Sequence, residues 1–186
     1  MQKKVTIIIG EPATGKSTLI RRLMEGQSYQ FRQLKWVPHH INLQRNSAIL
    51  GDYTDQSETY PGSDRLSMAV QPHARQWIKE SSPDHVLMEG DRLGNMKFIK
   101  ELIVDGHDVK VIRLMANETT RKFRSNLQQR EQDDKFLRSR KTKILNMHNE
   151  LAALPGMAYQ AVPHINSTDT RFIVSNLMRS DSERRI

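Results

Sequence analysis

A glycine-containing loop near the start of the chain narrows the possible folds more than any other segment; it reads Gly10-Glu11-Pro12-Ala13-Thr14-Gly15-Lys16-Ser17. A short β-branched apolar run, Val5 to Ile9, stands directly before it. After it, apolar residues recur at helical spacing from Leu19 to Met24. The run is typical of a strand buried on both faces, and the spacing is typical of an amphipathic helix. The sequence therefore predicts a strand, a glycine loop and a helix in that order.

The spacing of this loop, a glycine, four residues and then Gly-Lys-Ser, is typical of loops that bind phosphate. The backbone N–H groups of such a loop cradle phosphate oxygens, and the following helix adds its positive end. In this pattern Lys16 reaches the β and γ phosphates and the Ser17 hydroxyl ligates Mg²⁺. We predict a nucleoside triphosphate site made of Gly10, Glu11, Pro12, Ala13, Thr14, Gly15, Lys16, Ser17 and Thr18.

Apolar runs alternate with helical patterns along the rest of the chain. Further strands are predicted over residues 36–43, 48–53, 85–88, 109–115 and 161–165. Helices are predicted over residues 97–104, 118–130, 135–154 and 171–178, with another after Ser63 as a helix cap. This alternation predicts an α/β fold with a parallel sheet and helices on both faces. One of the stretches 36–43 and 48–53 is expected to pair beside the first strand.

Length and composition set the domain organisation. A chain of 186 residues suits one domain, which we place at residues 1–178, with a flexible tail at 179–186. The absence of cysteine excludes disulfides and thiolate zinc sites, so an intracellular setting is expected. The apolar run at residues 5–9 is too short for a signal peptide or a membrane span.

The formal net charge of +8 indicates an anionic partner. A basic surface attracts polyanions and speeds encounters with them, which makes nucleic acid the leading candidate. The alternative is a small phosphorylated substrate bound near a basic site.

Several acids could complete a phosphate-transfer site. The run 85–88 ends in Glu89-Gly90-Asp91, which predicts Glu89, together with Asp91, as metal-binding acids beside Ser17. Asp64 and Asp52 are the two candidates for orienting or deprotonating an acceptor hydroxyl. A GTPase is the nearest rival class, because Asp91 to Gly94 matches its second switch motif, but the base-reading motif is missing.

A basic helical segment follows in the second half of the chain. Residues 121–143 contain nine Lys or Arg against three acids. We predict a lid at about residues 118–145 in which Arg121 and Arg124 neutralise charge on the transferring group. Arg138 and Lys141 share a helix face and are predicted to contact the substrate.

The phosphate loop, the acid at Glu89, the arginine-rich lid and a final Asn166-Ser167-Thr168 together resemble the nucleoside-monophosphate-kinase-like branch of the P-loop kinases. The resemblance covers nearly the whole chain. It implies a P-loop NTPase three-layer sandwich with about five parallel strands, and adenine held near the lid and by Asn166, Ser167 and Thr168.

A narrower resemblance rests on residues 48–53, Ala-Ile-Leu-Gly-Asp-Tyr, and residues 61–70, Pro-Gly-Ser-Asp-Arg-Leu-Ser-Met-Ala-Val. These segments are similar to bacteriophage P-loop kinases that phosphorylate 5-hydroxymethyluracil within DNA. The resemblance implies ATP as donor, double-stranded DNA as acceptor and the cytoplasm of an infected bacterium as location. It also places Tyr53, Asp64 and Arg65, with Asp52 nearby, in the acceptor site.

Two other functions remain open from the sequence. One is a P-loop kinase for a nucleoside, nucleotide or sugar, which leaves the basic excess unexplained. The other is a DNA-binding module that is gated by nucleotide and does not catalyse transfer.

Overall fold

The computed structural model describes residues 2–54, 62–127 and 133–163. Its strands are β1 (Lys4–Ile9), β2 (Gln30–Arg32), β3 (His39–Asn42), β4 (Ser47–Leu50), β5 (His85–Glu89), β6 (Asp108–Met115) and β7 (Ala158–Pro163). Its helices are α1 (Lys16–Met24), α2 (Val70–Glu80), α3 (Met96–Val104), α4 (Glu118–Leu127) and α5 (Asp134–Ala153), with a short 3₁₀ turn at Ser63–Arg65.

The strands form a mixed sheet in the order β2-β3-β4-β5-β1-β6-β7. All neighbours from β4 to β7 run parallel, which confirms the predicted parallel sheet of about five strands. The strands β2 and β3 extend it through antiparallel pairs that the sequence did not predict.

The position of β4 corrects one expectation. Neither of the stretches 36–43 and 48–53 lies beside β1; β4 pairs with β5, and β5 separates it from β1. The physical reason is that β4 and β5, which α2 connects, pair side by side as consecutive strands usually do, and β5 then occupies the place beside β1. Ile8 of β1 stands opposite Glu89 of β5, so the ends of these two strands meet at one edge.

Helices cover both faces of the sheet, as predicted. On one face α2, α3 and α5 bury residues such as Ile78, Phe98 and Ile144 against β1, β5 and β6. On the other face Leu19 and Ile20 of α1 pack against residues of β1, β4, β5 and β6. The central strands β1 and β5 are buried on both faces, which explains why β1 reads as a continuous apolar run.

Local signals set several element ends. The Asn95 side chain accepts a hydrogen bond from the Phe98 amide at 3.1 Å and caps α3. At the other end, the amides of Gly106 and His107 donate to the carbonyls of Ile103 and Leu102, the pattern of a Schellman cap.

Two boundaries differ from the sequence prediction. Ser63 does not cap a long helix: it begins a 3₁₀ turn, its side chain makes no capping hydrogen bond, and α2 starts only at Val70. The last described strand begins at Ala158 rather than at residue 161, because Ala158 pairs with Lys110 and Tyr159 packs on the core. The predicted helix at 171–178 and the tail at 179–186 lie outside the described residues.

Helix α5 is the longest element, and its two halves have different surroundings. Ile144, Met147 and Leu151 are buried in the core, whereas no residue of α5 before Ile144 is buried. In the described part of the chain, no helix combines the length and apolarity that a bilayer span needs.

Candidate active site at the phosphate loop

The phosphate loop connects β1 to α1 as predicted. Gly15 adopts a left-handed conformation, with φ 90°, at the start of α1, and its carbonyl accepts the Leu19 amide at 2.9 Å. The Thr14 hydroxyl donates to the Glu11 carbonyl at 2.9 Å and closes the turn. The loop therefore leads directly into a helix N-terminus, where unpaired N–H groups can bind an anion.

Gly10 is required by close packing of the loop on β6. A Cβ atom at this position would lie 2.6 Å from the Leu114 carbonyl oxygen and 2.8 Å from the Thr14 hydroxyl oxygen. Because backbone cannot move aside as a side chain can, a larger residue would displace the loop from the end of the sheet.

The Lys16 ammonium lies over the loop. Its Nζ donates to the carbonyl oxygens of Gly10 and Glu11, both at 3.1 Å. A lysine in this place presents its charge to the space that the loop encloses, where the sequence predicted the β and γ phosphates. Thr18, also predicted to contact nucleotide, is exposed on the first turn of α1.

Glu89 lies at the centre of the site. It ends β5 and is only 2% exposed. Its Oε1 accepts hydrogen bonds from the Ser17 hydroxyl at 3.0 Å and from the Tyr53 hydroxyl at 3.2 Å. Burial raises the pKa of Glu89, with the Lys16 charge and these two hydrogen bonds opposing that rise. The predicted proximity of Glu89 and Ser17 is therefore present in the structure.

Tyr53 joins the acceptor segment to this acid. It is 5% exposed, and its ring packs against the backbone of Gly62. Burial, and then the nearby Glu89 carboxylate, raise the pKa of Tyr53 well above its usual value, so the hydroxyl keeps its proton and donates. The sequence placed Tyr53 in the acceptor site but gave no sign of its bond to Glu89.

Asp52 is held in an ion pair at the base of the same segment. Its carboxylate contacts Arg65 at 2.9 Å, and Thr54 donates to it from both hydroxyl and amide at 2.6 and 3.0 Å. Burial opposes ionisation, but the Thr54 hydrogen bonds and the Arg65 charge outweigh it and lower the pKa of Asp52. Backbone hydrogen bonds between Asp52 and Gly62 close the base of the loop.

Asp64 has a different setting from Asp52. It is exposed, and its negative charge raises the pKa values of Glu89 and Tyr53. Of the two predicted candidates for the acceptor base, Asp64 is thus accessible beside Glu89, whereas Asp52 already binds Arg65.

The two arginines of α4 that were predicted to form a lid contact the phosphate loop. Arg121 pairs with the Glu11 carboxylate at 2.6 Å, and both side chains are mostly buried. Arg124 donates from Nη1 to the Thr14 carbonyl at 3.2 Å, and burial lowers its pKa. The structure thus places both arginines beside the predicted nucleotide site.

Asp91 forms ion pairs with α5 that the sequence did not predict. Its carboxylate pairs with Arg140 at 2.6 Å and with Lys143 at 3.2 Å. Ser17 is instead bonded to Glu89, so the role of Asp91 as a metal ligand stays a prediction. Arg140 and Lys143 were counted only as part of the basic segment, although their spacing of three residues indicates a shared helix face.

The remaining predicted site residues fall into two groups. Arg138 and Lys141 are exposed on α5. Asn166, Ser167 and Thr168 lie outside the described residues. Within residues 2–54, 62–127 and 133–163, no three His, Asp or Glu side chains gather as a possible metal cage.

Similarity to known structures is confined to the fold. A sugar kinase from Janibacter sp. HTCC2649 has a TM-score of 0.52 at 8% identity, covering 95% of this chain and 94% of that one. An uncharacterised protein from Eubacterium ventriosum ATCC 27560 has a TM-score of 0.46 at 7% identity, covering 95% and 98% of the two chains. A de novo designed protein with the P-loop NTPase fold has a TM-score of 0.37 at 14% identity, covering 95% and 90%.

A search of the curated proteins found no match. The family model described as P-loop Nucleotide Kinase3 matches residues 1–179. This match agrees with the loop between β1 and α1, the acid at the end of β5 and the arginines of α4 beside the loop. Proteins of this fold typically bind a nucleotide together with Mg²⁺. The chain therefore belongs to the P-loop Nucleotide Kinase3 family.

Proposed function

We propose that the protein is an ATP- and Mg²⁺-dependent kinase that phosphorylates the hydroxymethyl group of 5-hydroxymethyluracil in DNA. The observation that carries the kinase assignment is the position of the Glu89 carboxylate. One of its oxygens accepts both the Ser17 hydroxyl of the phosphate loop and the Tyr53 hydroxyl of the acceptor segment. These two hydrogen bonds support a transfer site in which the predicted donor and acceptor sides meet at one acid.

The donor set at this point fits Mg²⁺. Ser17 and Glu89 offer a hydroxyl and a carboxylate, the hard oxygen ligands that Mg²⁺ prefers. In proteins this ion is usually held by one or two carboxylates together with substrate phosphates and water, so a larger cage is not needed. When bound, Mg²⁺ supplies positive charge next to the terminal phosphates of the nucleotide.

Residues of the chain itself would hold and polarise the triphosphate. The loop amides and the N-terminus of α1 bind phosphate oxygens, and Lys16 turns its ammonium from the loop carbonyls to the β and γ phosphates. Arg121 and Arg124 stand beside the loop and add charge as the transferring group develops it.

Asp64 is the carboxylate best placed to act on the acceptor. The acceptor oxygen forms a bond to the γ phosphorus, and the bond from that phosphorus to the β,γ-bridging oxygen breaks, with ADP leaving with the electron pair. The hydroxyl proton passes to Asp64 and from there to water. Arg65 stays paired with Asp52 and fixes the turn that presents Asp64.

DNA as the acceptor is supported by charge and by the two acceptor segments. The net charge of +8 favours a polyanionic partner, and Arg138 and Lys141 are exposed on α5. The segments at 48–53 and 61–70, which resemble the phage DNA kinases, include Tyr53 and Asp64, and both lie near Glu89. A hydroxymethyl group on a paired pyrimidine lies in the major groove, so the base is either reached there or flipped out of the duplex.

A labelling assay tests the proposal. The protein is incubated with γ-labelled ATP, Mg²⁺ and a duplex that contains 5-hydroxymethyluracil, with a thymine duplex of the same sequence as control. Label is expected in the first duplex alone, and Lys16→Ala is expected to abolish it while keeping the unfolding transition. Label that enters only a free nucleoside or sugar would indicate a small-molecule kinase. DNA binding without any transfer would indicate a non-catalytic module.

A further inference from the structure

The antiparallel strand β3 contacts the acceptor segment through His40, which bonds to the Tyr53 backbone. The Tyr53 amide donates a hydrogen bond to His40 Nε2 at 3.1 Å. Because an N–H group can only donate, Nε2 must accept, and the imidazole must carry its proton on Nδ1. A continuous path therefore runs from His40 to the Tyr53 backbone, from the Tyr53 hydroxyl to Glu89, and from Glu89 to Ser17.

His40 is fixed on both sides by aromatic rings. It is 5% exposed, with its ring centroid 4.9 Å from that of Phe31 on β2 and 5.9 Å from that of Tyr53. The antiparallel pairing places it opposite Phe31 and Ile49. The strands β2 and β3 thus hold the imidazole in one orientation, with its accepting nitrogen toward the Tyr53 amide.

We propose that His40 is a positioning residue that aligns Tyr53, and through it Glu89, for transfer only while its Nε2 is unprotonated. This inference rests on the proposed kinase function for its catalytic consequence. His40 itself touches neither the nucleotide site nor Glu89, so its effect on the reaction is transmitted through Tyr53.

The charges around His40 define the direction of its pH response. Burial lowers the pKa of His40, the Asp52 carboxylate opposes this effect, and His39 on the same strand adds to it. Asp52 is itself paired with Arg65, and the facing residues of β2 and β4, Phe31 and Ile49, carry no charge. The imidazole is therefore neutral at pH 7 and gains a proton only below its ordinary pKa of about 6.5. That proton would occupy the nitrogen that accepts the Tyr53 amide.

Three variants separate positioning from packing. His40→Gln keeps an acceptor at the same distance from the backbone as Nε2, whereas His40→Met fills a similar volume without a comparable one. His39→Met is the matched control, because His39 is also 5% exposed on β3 but packs on Trp77 at the other face. We expect kcat to fall about tenfold to hundredfold in His40→Met, since small misplacements of a positioned group cost this much. His40→Gln should restore most of the rate, and His39→Met should keep it.

The pH profile adds a second kinetic readout. The wild-type rate should decline below about pH 6.5, and this acidic limb should shift to lower pH in His40→Gln, which has no imidazole to protonate. KM for ATP should change little in either variant, because the phosphate loop is untouched. A wild-type kcat in His40→Met, or superimposable pH limbs in wild type and His40→Gln, would overturn the proposal.

An NMR titration tests the inference without any turnover. The chain has four tyrosines, so ¹⁵N-tyrosine labelling gives few amide signals, and Tyr53→Phe identifies that of Tyr53. The Tyr53 amide should shift with acid in the wild type and stay constant in His40→Gln. A wild-type Tyr53 signal that does not titrate would refute the role of His40 whatever the kinetics show. If the wild type transfers phosphate to no acceptor, the proposed function fails, and this titration alone decides the role of His40.

Discussion

Replacing Gly62 by alanine should destabilise the protein through a collision with Tyr53 in addition to backbone strain. Gly62 has φ 70° and ψ −123°, a conformation that side chains strongly disfavour. A Cβ atom there would lie 2.3 Å from Tyr53 Cε1, 2.5 Å from Cζ and 2.8 Å from the hydroxyl oxygen. The ring cannot move away without breaking the bond from Tyr53 to Glu89.

Gly106 provides the matched control. It also has a positive φ, 82°, but nothing lies within 4 Å of a Cβ atom built there. A left-handed φ costs alanine about 1–2 kcal/mol, and the rarer φ and ψ of Gly62 cost about 1–3 kcal/mol. Forcing extra volume into packed structure adds about 1–3 kcal/mol. We therefore expect Gly106→Ala to lose about 1–2 kcal/mol and Gly62→Ala about 2–6 kcal/mol of unfolding free energy.

Urea denaturation followed by circular dichroism measures both losses. A double-mutant cycle then isolates the collision: Tyr53→Leu removes the three atoms that collide, so the cost of Gly62→Ala should fall by about 1–3 kcal/mol in that background. Equal losses for the two glycine variants in the wild-type background would refute the reasoning. So would a Gly62→Ala cost that Tyr53→Leu leaves unchanged.

Three further outcomes are expected. Glu89→Gln should reduce transfer about 100-fold or more, yet leave stability at pH 7 unchanged or higher. Burial raises the pKa of Glu89. The stabilisation from such a group falls as pH rises from its unfolded-state pKa through its folded-state pKa, so neutralising the side chain should not reduce stability at pH 7. A clear loss of unfolding free energy in urea melts of Glu89→Gln would contradict this expectation. The pKa of Asp105 is shifted in the opposite direction. The hydrogen bond from Arg75 is the main cause that lowers it, and Lys79 adds to this effect. The ionised carboxylate therefore stabilises the fold fully above about pH 4, and this stabilisation disappears with acid. Unfolding free energy should therefore decline less in Asp105→Asn than in wild type as acid is added, and parallel curves would refute the assignment. Replacing both Arg138 and Lys141 by alanine should reduce the slope of log affinity for DNA against log salt by up to about 2, whereas Lys97→Ala on α3 should not; an unchanged slope would exclude phosphate contacts.

The parts of the fold that are local in sequence could be predicted. The order of β1, phosphate loop and α1 followed from one motif and its flanking apolar pattern, and the acid at Glu89 followed from its place after a buried run. Both signals depend on neighbouring residues, so distant parts of the chain do not alter them. Arg121 and Arg124 were likewise found from charge and helical spacing.

Contacts between distant segments could not be predicted in the same way. Nothing in the sequence around Asp91 indicates that Arg140 and Lys143 will pair with it, because α5 is brought there by its packing on the sheet. The bond from Tyr53 to Glu89 and the bond from the Tyr53 amide to His40 depend on strand order, and that order was the incorrect part of the prediction. The adjacent residues His39 and His40 carry no sequence signal that one of them accepts a hydrogen bond from the Tyr53 amide.

The two halves of α5, one with core residues and one without, limit how the predicted lid could move. Ile144, Met147 and Leu151 pack its second half against the sheet, while the first half, from Asp134, contacts the segment after β5 through the Arg140 ion pair with Asp91. A rigid rotation of the whole helix would pull those three side chains out of the core. Any closure that includes the first half of α5 would therefore require bending or fraying within the helix rather than rotation of the whole helix.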